Sequence, residues 1–175
     1  TLLHLLQTEV AGREERSFAR RLKDCRFPEL KTLDTFQSGL LPYLSTAQVQ
    51  GLATCNYIRN RNNVLGVGNS GTGKTHLCIA LGIEAIRQGF SVRFHMVMPL
   101  LDQLVEARDN RELRQQMRPL ESCDLLILDE FGYQRLSQPQ ASILFQLFAS
   151  RHERRSTYVT TNQIGRASCR ERVSE

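Results

Sequence analysis

The eight residues Gly68-Asn69-Ser70-Gly71-Thr72-Gly73-Lys74-Thr75 limit what this chain can fold into more than any other stretch. They satisfy G-x-x-x-x-G-K-[ST] at every position. In that pattern glycines let backbone N–H groups close round phosphate oxygens, the lysine reaches the β- and γ-phosphates, and the last hydroxyl ligates Mg²⁺. Such a loop needs a buried strand before it and a helix after it. Val64-Leu65-Gly66-Val67 reads as the strand, and Lys74 to Gln88 reads as a helix whose N-terminus adds its partial positive charge to the site. The nucleotide-binding set expected here is therefore Gly68, Asn69, Ser70, Gly71, Thr72, Gly73, Lys74 and Thr75, with His76 directly behind them.

At 175 residues the chain is long enough for one domain with a real core, or for a domain plus a helical appendage. A net charge of +5 permits an anionic partner without requiring one. Cys25, Cys55, Cys78, Cys123 and Cys169 form no C-x-x-C pair and no zinc-ligand spacing with a histidine, so free thiols in a reducing cytoplasm are expected. No apolar run has the length of a membrane span. The first residue is Thr1, and the chain is expected to begin inside a longer one.

Residues 1 to about 26 read as helical, with Leu3, Leu6 and Val10 on one stripe, a break at Gly12, and Phe18, Leu22 and Cys25 continuing the apolar face. The other face is charged. Arg20, Arg21, Lys23 and Arg26 gather towards its C-terminal end, which is open to two readings: a solvated helix face, or a surface for a phosphate backbone. Phe27-Pro28 stops this helix, and residues 29–44 form an irregular connector with apolar Leu30, Leu33, Phe36, Leu40, Leu41 and Leu44. Ser45 is a plausible N-cap for a helix from Thr46 to Asn60, and Arg59 and Arg61 fall just ahead of the first strand.

Beyond the loop helix, Ser91 to Val97 alternates as a strand, and Met98-Pro99 opens a helix carrying Leu100, Leu101, Leu104 and Val105. A polar helical segment spans Asn110 to Met117 and is expected to end at Pro119. Cys123 to Glu130 holds four consecutive large aliphatics, as a parallel strand covered on both faces requires, and closes on Asp129-Glu130. In open α/β sheets ligands bind beyond the carboxyl ends of the strands, so this acidic pair should share the loop's pocket. Gln138 to Arg151 reads as a helix with a wide apolar face, and Ser156 to Asn162 as a β-branched strand ending in an amide.

Charge divides the labour. Asp129 is expected to hold Mg²⁺ with Thr75, Glu130 to act as general base on the attacking water, and Asn162 to orient that water and the γ-phosphate, with Lys74 on the transferred charge. The stretches Gly68 to Thr75, Leu125 to Glu130 and Thr160-Thr161-Asn162 resemble Walker A, Walker B and sensor 1 of the AAA+ ATPases. The fuller context is similar to the IstB-like helpers of insertion-sequence transposition and their relatives, the DnaC-type helicase loaders. It rests on Arg20-Arg21-Leu22-Lys23 with Arg26-Phe27-Pro28, on Asp129-Glu130-Phe131-Gly132-Tyr133, and on Leu144 to Phe148 leading to Arg151-His152-Glu153-Arg154.

The resemblance implies an α/β P-loop NTPase of AAA+ type: a three-layer core with a parallel sheet over 45–163, preceded by a helical region at 1–44. It implies ATP and Mg²⁺ as cofactors, and a cytoplasmic protein that assembles as a homo-oligomer on double-stranded DNA and assists a transposase. The alternatives are a helicase loader, a P-loop small-molecule kinase, and a nucleotide-binding scaffold without turnover. Residues 164–175 have no apolar period and Ile164 to Val173 resembles a translated sequencing adaptor, so this tail is expected to be non-native. The family's fifth strand, lid and arginine finger are then expected to be missing, leaving the Val64–Val67 strand on an open edge and hydrolysis weak. Arg151, Arg154 and Arg155, which precede the last strand, are expected on the surface.

Overall fold

The computed structural model describes residues 2–36, 44–132 and 134–162. The side chains of residues 2–8 and 11 fall outside the description. So do the expectations placed on Leu3, Leu6, Leu40, Leu41, Tyr133 and the tail at 164–175.

Four parallel strands form the sheet: β1 (Val64–Val67), β2 (Val92–Met96), β3 (Leu125–Phe131) and β4 (Ser156–Thr161), in the order β1-β4-β3-β2. The helices are α1 (Leu2–Cys25), α2 (Thr46–Ala53), α3 (Asn56–Arg59), α4 (Lys74–Arg87), α5 (Val97–Asp109), α6 (Leu113–Ser122) and α7 (Gln138–Arg151). The chain is an α/β protein of three layers. The aliphatic run of β3 explains why: Leu125 and Ile127 enter the core shared with α4 and α1, whereas Leu126 and Leu128 enter the core shared with α5, α6 and α7. All four are fully buried, and each such side chain contributes roughly 1.5–3 kcal/mol relative to exposure. Among the described residues β1 pairs only with β4, and Leu65 and Val67 on it are 64% and 42% exposed, so the loop strand lies at an open edge.

Local chemistry departs from the sequence reading at three helices. α1 runs unbroken through Gly12, whose carbonyl accepts from Arg16 Nε at 2.9 Å; a mid-helix glycine costs only about 1 kcal/mol against alanine. The expected helix over 46–60 is instead two, because buried Cys55 takes a left-handed conformation (φ 59°) and Thr54 turns its hydroxyl back onto the Gly51 carbonyl at 2.7 Å. Pro119 does not end α6, which continues to Ser122. One ladder hydrogen bond is lost there, and the burial of Met117 and Leu120 on either side of the ring offsets it.

Two caps fix the helix starts that flank the core. Ser45 and Ser137 both accept from the backbone N–H three residues on, while Gln48 and Gln140 reach back to the cap N–H, completing a capping box in each case. Phe27, just past α1, packs on Phe94 with ring centroids 5.8 Å apart and fills the space left by Gly82 of α4, where a Cβ would stand 2.7 Å from its ring. The Arg-Phe-Pro helix end is thereby keyed into the sheet layer. The connector follows it back over the loop helix: Leu33 and Phe36 pack on the same core, while Leu30 is 62% exposed.

Candidate functional site

β1 ends at Val67 and the chain swings through the glycine-rich loop into α4. Gly71 and Gly73 both adopt positive φ (78° and 86°), a conformation that a Cβ would strain, and this lets the loop turn tightly into α4. Gly68 N–H is held by the Thr161 carbonyl at 3.2 Å, so the loop base is tied to the end of β4. Thr72 Oγ1 donates to the Asn69 carbonyl at 2.8 Å, and Lys74 Nζ donates to the carbonyls of Gly68 and Asn69 at 2.8 and 2.6 Å. The ammonium is thus fixed across the loop mouth. Burial lowers its pKa from the ordinary lysine value, opposed by the negative charge of Asp129 and Glu130.

Asp129 and Glu130 are adjacent on β3, and a regular strand would point them to opposite faces. The register breaks here: Leu128 opposes Val159 but Phe131 opposes Thr161, so one extra residue is inserted on β3. Glu130 takes up the insertion with φ 61°. As a result both carboxylates line one pocket of 310 Å³. Asp129 is 3% exposed and receives the Thr75 hydroxyl at 2.9 Å and the hydroxyl of Thr160. Thr160 also accepts the backbone N–H of Glu130 at 3.0 Å. One hydroxyl on the neighbouring strand therefore anchors the buried acid and holds the kink that aims the second.

Ser70, Gly71, Gly73, Lys74 and Thr75 line the same pocket with the two acids, and His76 and Asn162 complete its walls. Every residue that the sequence assigned a catalytic or metal role is brought together here. Arg20, Arg21, Lys23 and Arg26 are not, since they sit on or just past α1. The donor set suits Mg²⁺: a hydroxyl and one carboxylate are hard oxygen ligands, and among the described residues no group of three His, Cys, Asp or Glu could cage a metal alone. An ion here would take its remaining ligands from water and phosphate oxygens, as Mg²⁺ commonly does.

Two participants have no role of their own in the sequence reading. Thr160 is one: it opens the Thr160-Thr161-Asn162 stretch, where Asn162 stands out at the end of the strand pattern but a threonine in a β-branched run carries no separate signal. The other is Lys31. Held by Glu29 at 3.1 Å, it reaches the pocket because the connector folds over α4, where His76 Nε2 meets the Thr32 carbonyl at 3.0 Å and Thr35 Oγ1 at 3.2 Å. The Phe36 ring meets His76 edge-on at 5.5 Å.

Arg151 corrects an expectation outright. It is 1% exposed, not a surface group, because its guanidinium replaces water with the carbonyls of Leu120, Cys123 and Ser156 and the hydroxyl of Thr157. Burial lowers its pKa, opposed by Cys123. Arg154 and Arg155 are exposed, as expected.

Comparison with known proteins agrees with this geometry. The family model described as IstB-like ATP binding protein matches residues 1–166. A protein of insertion sequence IS21 from Pseudomonas aeruginosa, named as ATP-binding, is 37% identical over 90% of this chain and 60% of its own length. A counterpart of insertion sequence IS5376 from Geobacillus stearothermophilus is 34% identical over 93% of this chain and 64% of its own. The chain therefore spans somewhat under two thirds of these relatives. In fold it is similar to AMPPCP-bound DnaA from Aquifex aeolicus (TM-score 0.66, 24% identity, 78% of this chain and 43% of that one). It is also similar to the DnaC helicase loader (TM-score 0.58, 22% identity, 74% and 79%). The α/β core is the P-loop NTPase fold of AAA+ type.

Proposed function

We propose, from the premise that this chain belongs to the IstB-like ATP-binding protein family, that it hydrolyses ATP and couples the nucleotide state to DNA in transposition. One observation carries the hydrolytic part. The β3 insertion turns Glu130 into the pocket that holds Lys74, Thr75 and Asp129, which supports a general base beside a phosphate cradle.

The geometry supports a division of roles. The loop amides and Lys74 would hold the β- and γ-phosphates, with Lys74 offsetting charge that grows on the transferred group. Thr75 and Asp129 would hold Mg²⁺, which would offset the negative charge of the phosphates. Glu130 would accept the proton of the attacking water, and Asn162 would orient that water. DNA association, self-assembly on duplex DNA and assistance to a transposase rest on kinship with insertion-sequence proteins and on the cationic end of α1. A helicase-loading role would use the same site and is favoured by the likeness in fold to a DnaC loader. Co-purification of a transposase or of a hexameric helicase separates the two.

The test is Glu130→Gln in the purified chain. ATP affinity should stay within about threefold while single-turnover hydrolysis falls by about 10²- to 10⁴-fold, the usual worth of a general base. A variant that loses binding and hydrolysis together would place Glu130 in nucleotide binding instead.

A further inference from the structure

At the other end of the sheet, the amino ends of the strands open onto a second cleft of 430 Å³. Arg59 and Arg61 reach it from the segment entering β1, Phe90 from the turn before β2, Asp124 from the residue before β3, and Arg154 and Arg155 from those before β4. Four guanidinium groups thus face one carboxylate, and that carboxylate is already engaged. Asp124 Oδ1 accepts from Arg155, and Oδ2 accepts the Ser91 N–H at 2.9 Å and its hydroxyl at 2.7 Å.

Arg155 is paired with that carboxylate, whereas Arg59, Arg61 and Arg154 are in no ion pair among the described residues. Arg59 is fixed by the Thr54 carbonyl at 2.6 Å and Gln88 Oε1 at 2.8 Å, with its guanidinium 5.4 Å over the Phe90 ring. Arg61 has one long contact, to the Glu153 carbonyl at 3.3 Å. The Arg154 backbone N–H donates to the Arg151 carbonyl at 3.0 Å, and its exposed guanidinium makes no hydrogen bond or ion pair among the described residues. Attraction to helix C-termini accounts for arginines at the ends of α3 and α7, but not for a shared cleft with so little counter-charge. Arg21 of α1 stands near this cleft without lining it: its Nη1 lies 3.5 Å from where a Cβ of Gly89, the residue before Phe90, would stand.

We propose that this cleft is a second phosphate-backbone contact, seating phosphates of a duplex DNA that also crosses the basic end of α1. The proposal rests on the DNA association proposed above. Guanidinium forks suit phosphate oxygens, and a contact made by several of them is salt-dependent through counterion release. Duplex is favoured over single strand because the cleft's one aromatic, Phe90, has its face covered by Arg59 and offers no stacking platform.

Fluorescence anisotropy of the full chain on a labelled random-sequence duplex, between about 50 and 200 mM salt, tests it. The pair Arg61→Gln with Arg154→Gln removes two charges that support no fold contact beyond one long bond. It should weaken binding about tenfold at low salt and make the slope of log K against log salt shallower by about 1 to 2, whereas Arg61→Lys with Arg154→Lys should keep the slope. Fluorescent ATP should bind all forms equally, because the nucleotide pocket lies at the opposite end of the strands. Unchanged affinity and slope in the glutamine pair, with the parent binding duplex, would overturn the cleft and leave DNA association standing. A parent chain that binds no duplex would overturn both.

Discussion

The two ends of this parallel sheet carry opposite electrostatic designs. At the carboxyl ends, a helix N-terminus, a glycine-rich loop, Lys74 and Lys31 surround two carboxylates; Lys74 is bonded to backbone carbonyls and Asp129 to the hydroxyls of Thr75 and Thr160. At the amino ends helices finish, their C-termini attract cations, and arginines collect there. One of them, Arg151, is absorbed into the fold and ties α7 to α6, to the turn that leaves α6 and to β4 through three carbonyls. Its neighbours Arg154 and Arg155 stay in solvent. The difference shows that strand polarity alone sorts the charge, and that hydrogen bonding then decides whether a given cation builds structure or remains available to a partner.

The contrast breaks most sharply at Lys74. Lys74→Ala should reduce ATP affinity at least a hundredfold by calorimetry while leaving the melting temperature nearly unchanged, since the ammonium's contacts lie in the loop mouth. Arg151→Leu should do the reverse. It should destabilise the fold by about 3–5 kcal/mol in urea titration, because buried carbonyls lose a charged donor, with ATP affinity of the folded fraction preserved. A collapse of affinity in the second variant would mean that the two ends are not independent.

A third measurement concerns His95, on β2. Burial, with Arg93 and Arg26 adding to it, lowers its pKa from 6.5 to about 4. The unfolded chain then binds more protons between those values, so this contribution is complete above pH 6.5 and is lost as pH falls towards 4. It amounts to at most about 3 kcal/mol. His95→Gln should flatten the stability profile in that window; an unchanged profile would mean the ring is already protonated in the fold. The smallest effect is expected from Thr160→Val, which leaves the Glu130 N–H without its acceptor. A loss of about 1–3 kcal/mol in stability and about tenfold in hydrolysis, with ATP binding retained, would fit a positioning role. Equal hydrolysis in the variant would show that the β3 kink holds itself.

Much of the fold was legible because its signals are local. The loop pattern, the aliphatic run at Leu125–Leu128 and the proline-opened α5 each announce an element from within a few residues. The acidic pair was legible as a site for the same reason. What escaped was set by distance in sequence: Cys55 breaks a helix by a backbone conformation its residue type rarely shows, and Lys31 reaches the pocket only because Thr32 and Thr35 engage His76 across 40-odd positions. Arg151 read as a surface cation because burial of a charge depends on carbonyls that α6, its C-cap and β4 supply.

By itself, then, the sequence determined the glycine-rich loop between strand and helix, the layer order implied by a strand apolar on both faces, and the chemical types gathered at the strand ends. Backbone propensity and side-chain periodicity are written residue by residue, and they suffice for that. Tertiary structure decided where the carboxylates point. The register of β3 against β4 inserts one residue, the Thr160 hydroxyl anchors the result, and only then do Asp129 and Glu130 face one pocket. Register is a relation between strands some thirty residues apart, and no stretch of either strand records it.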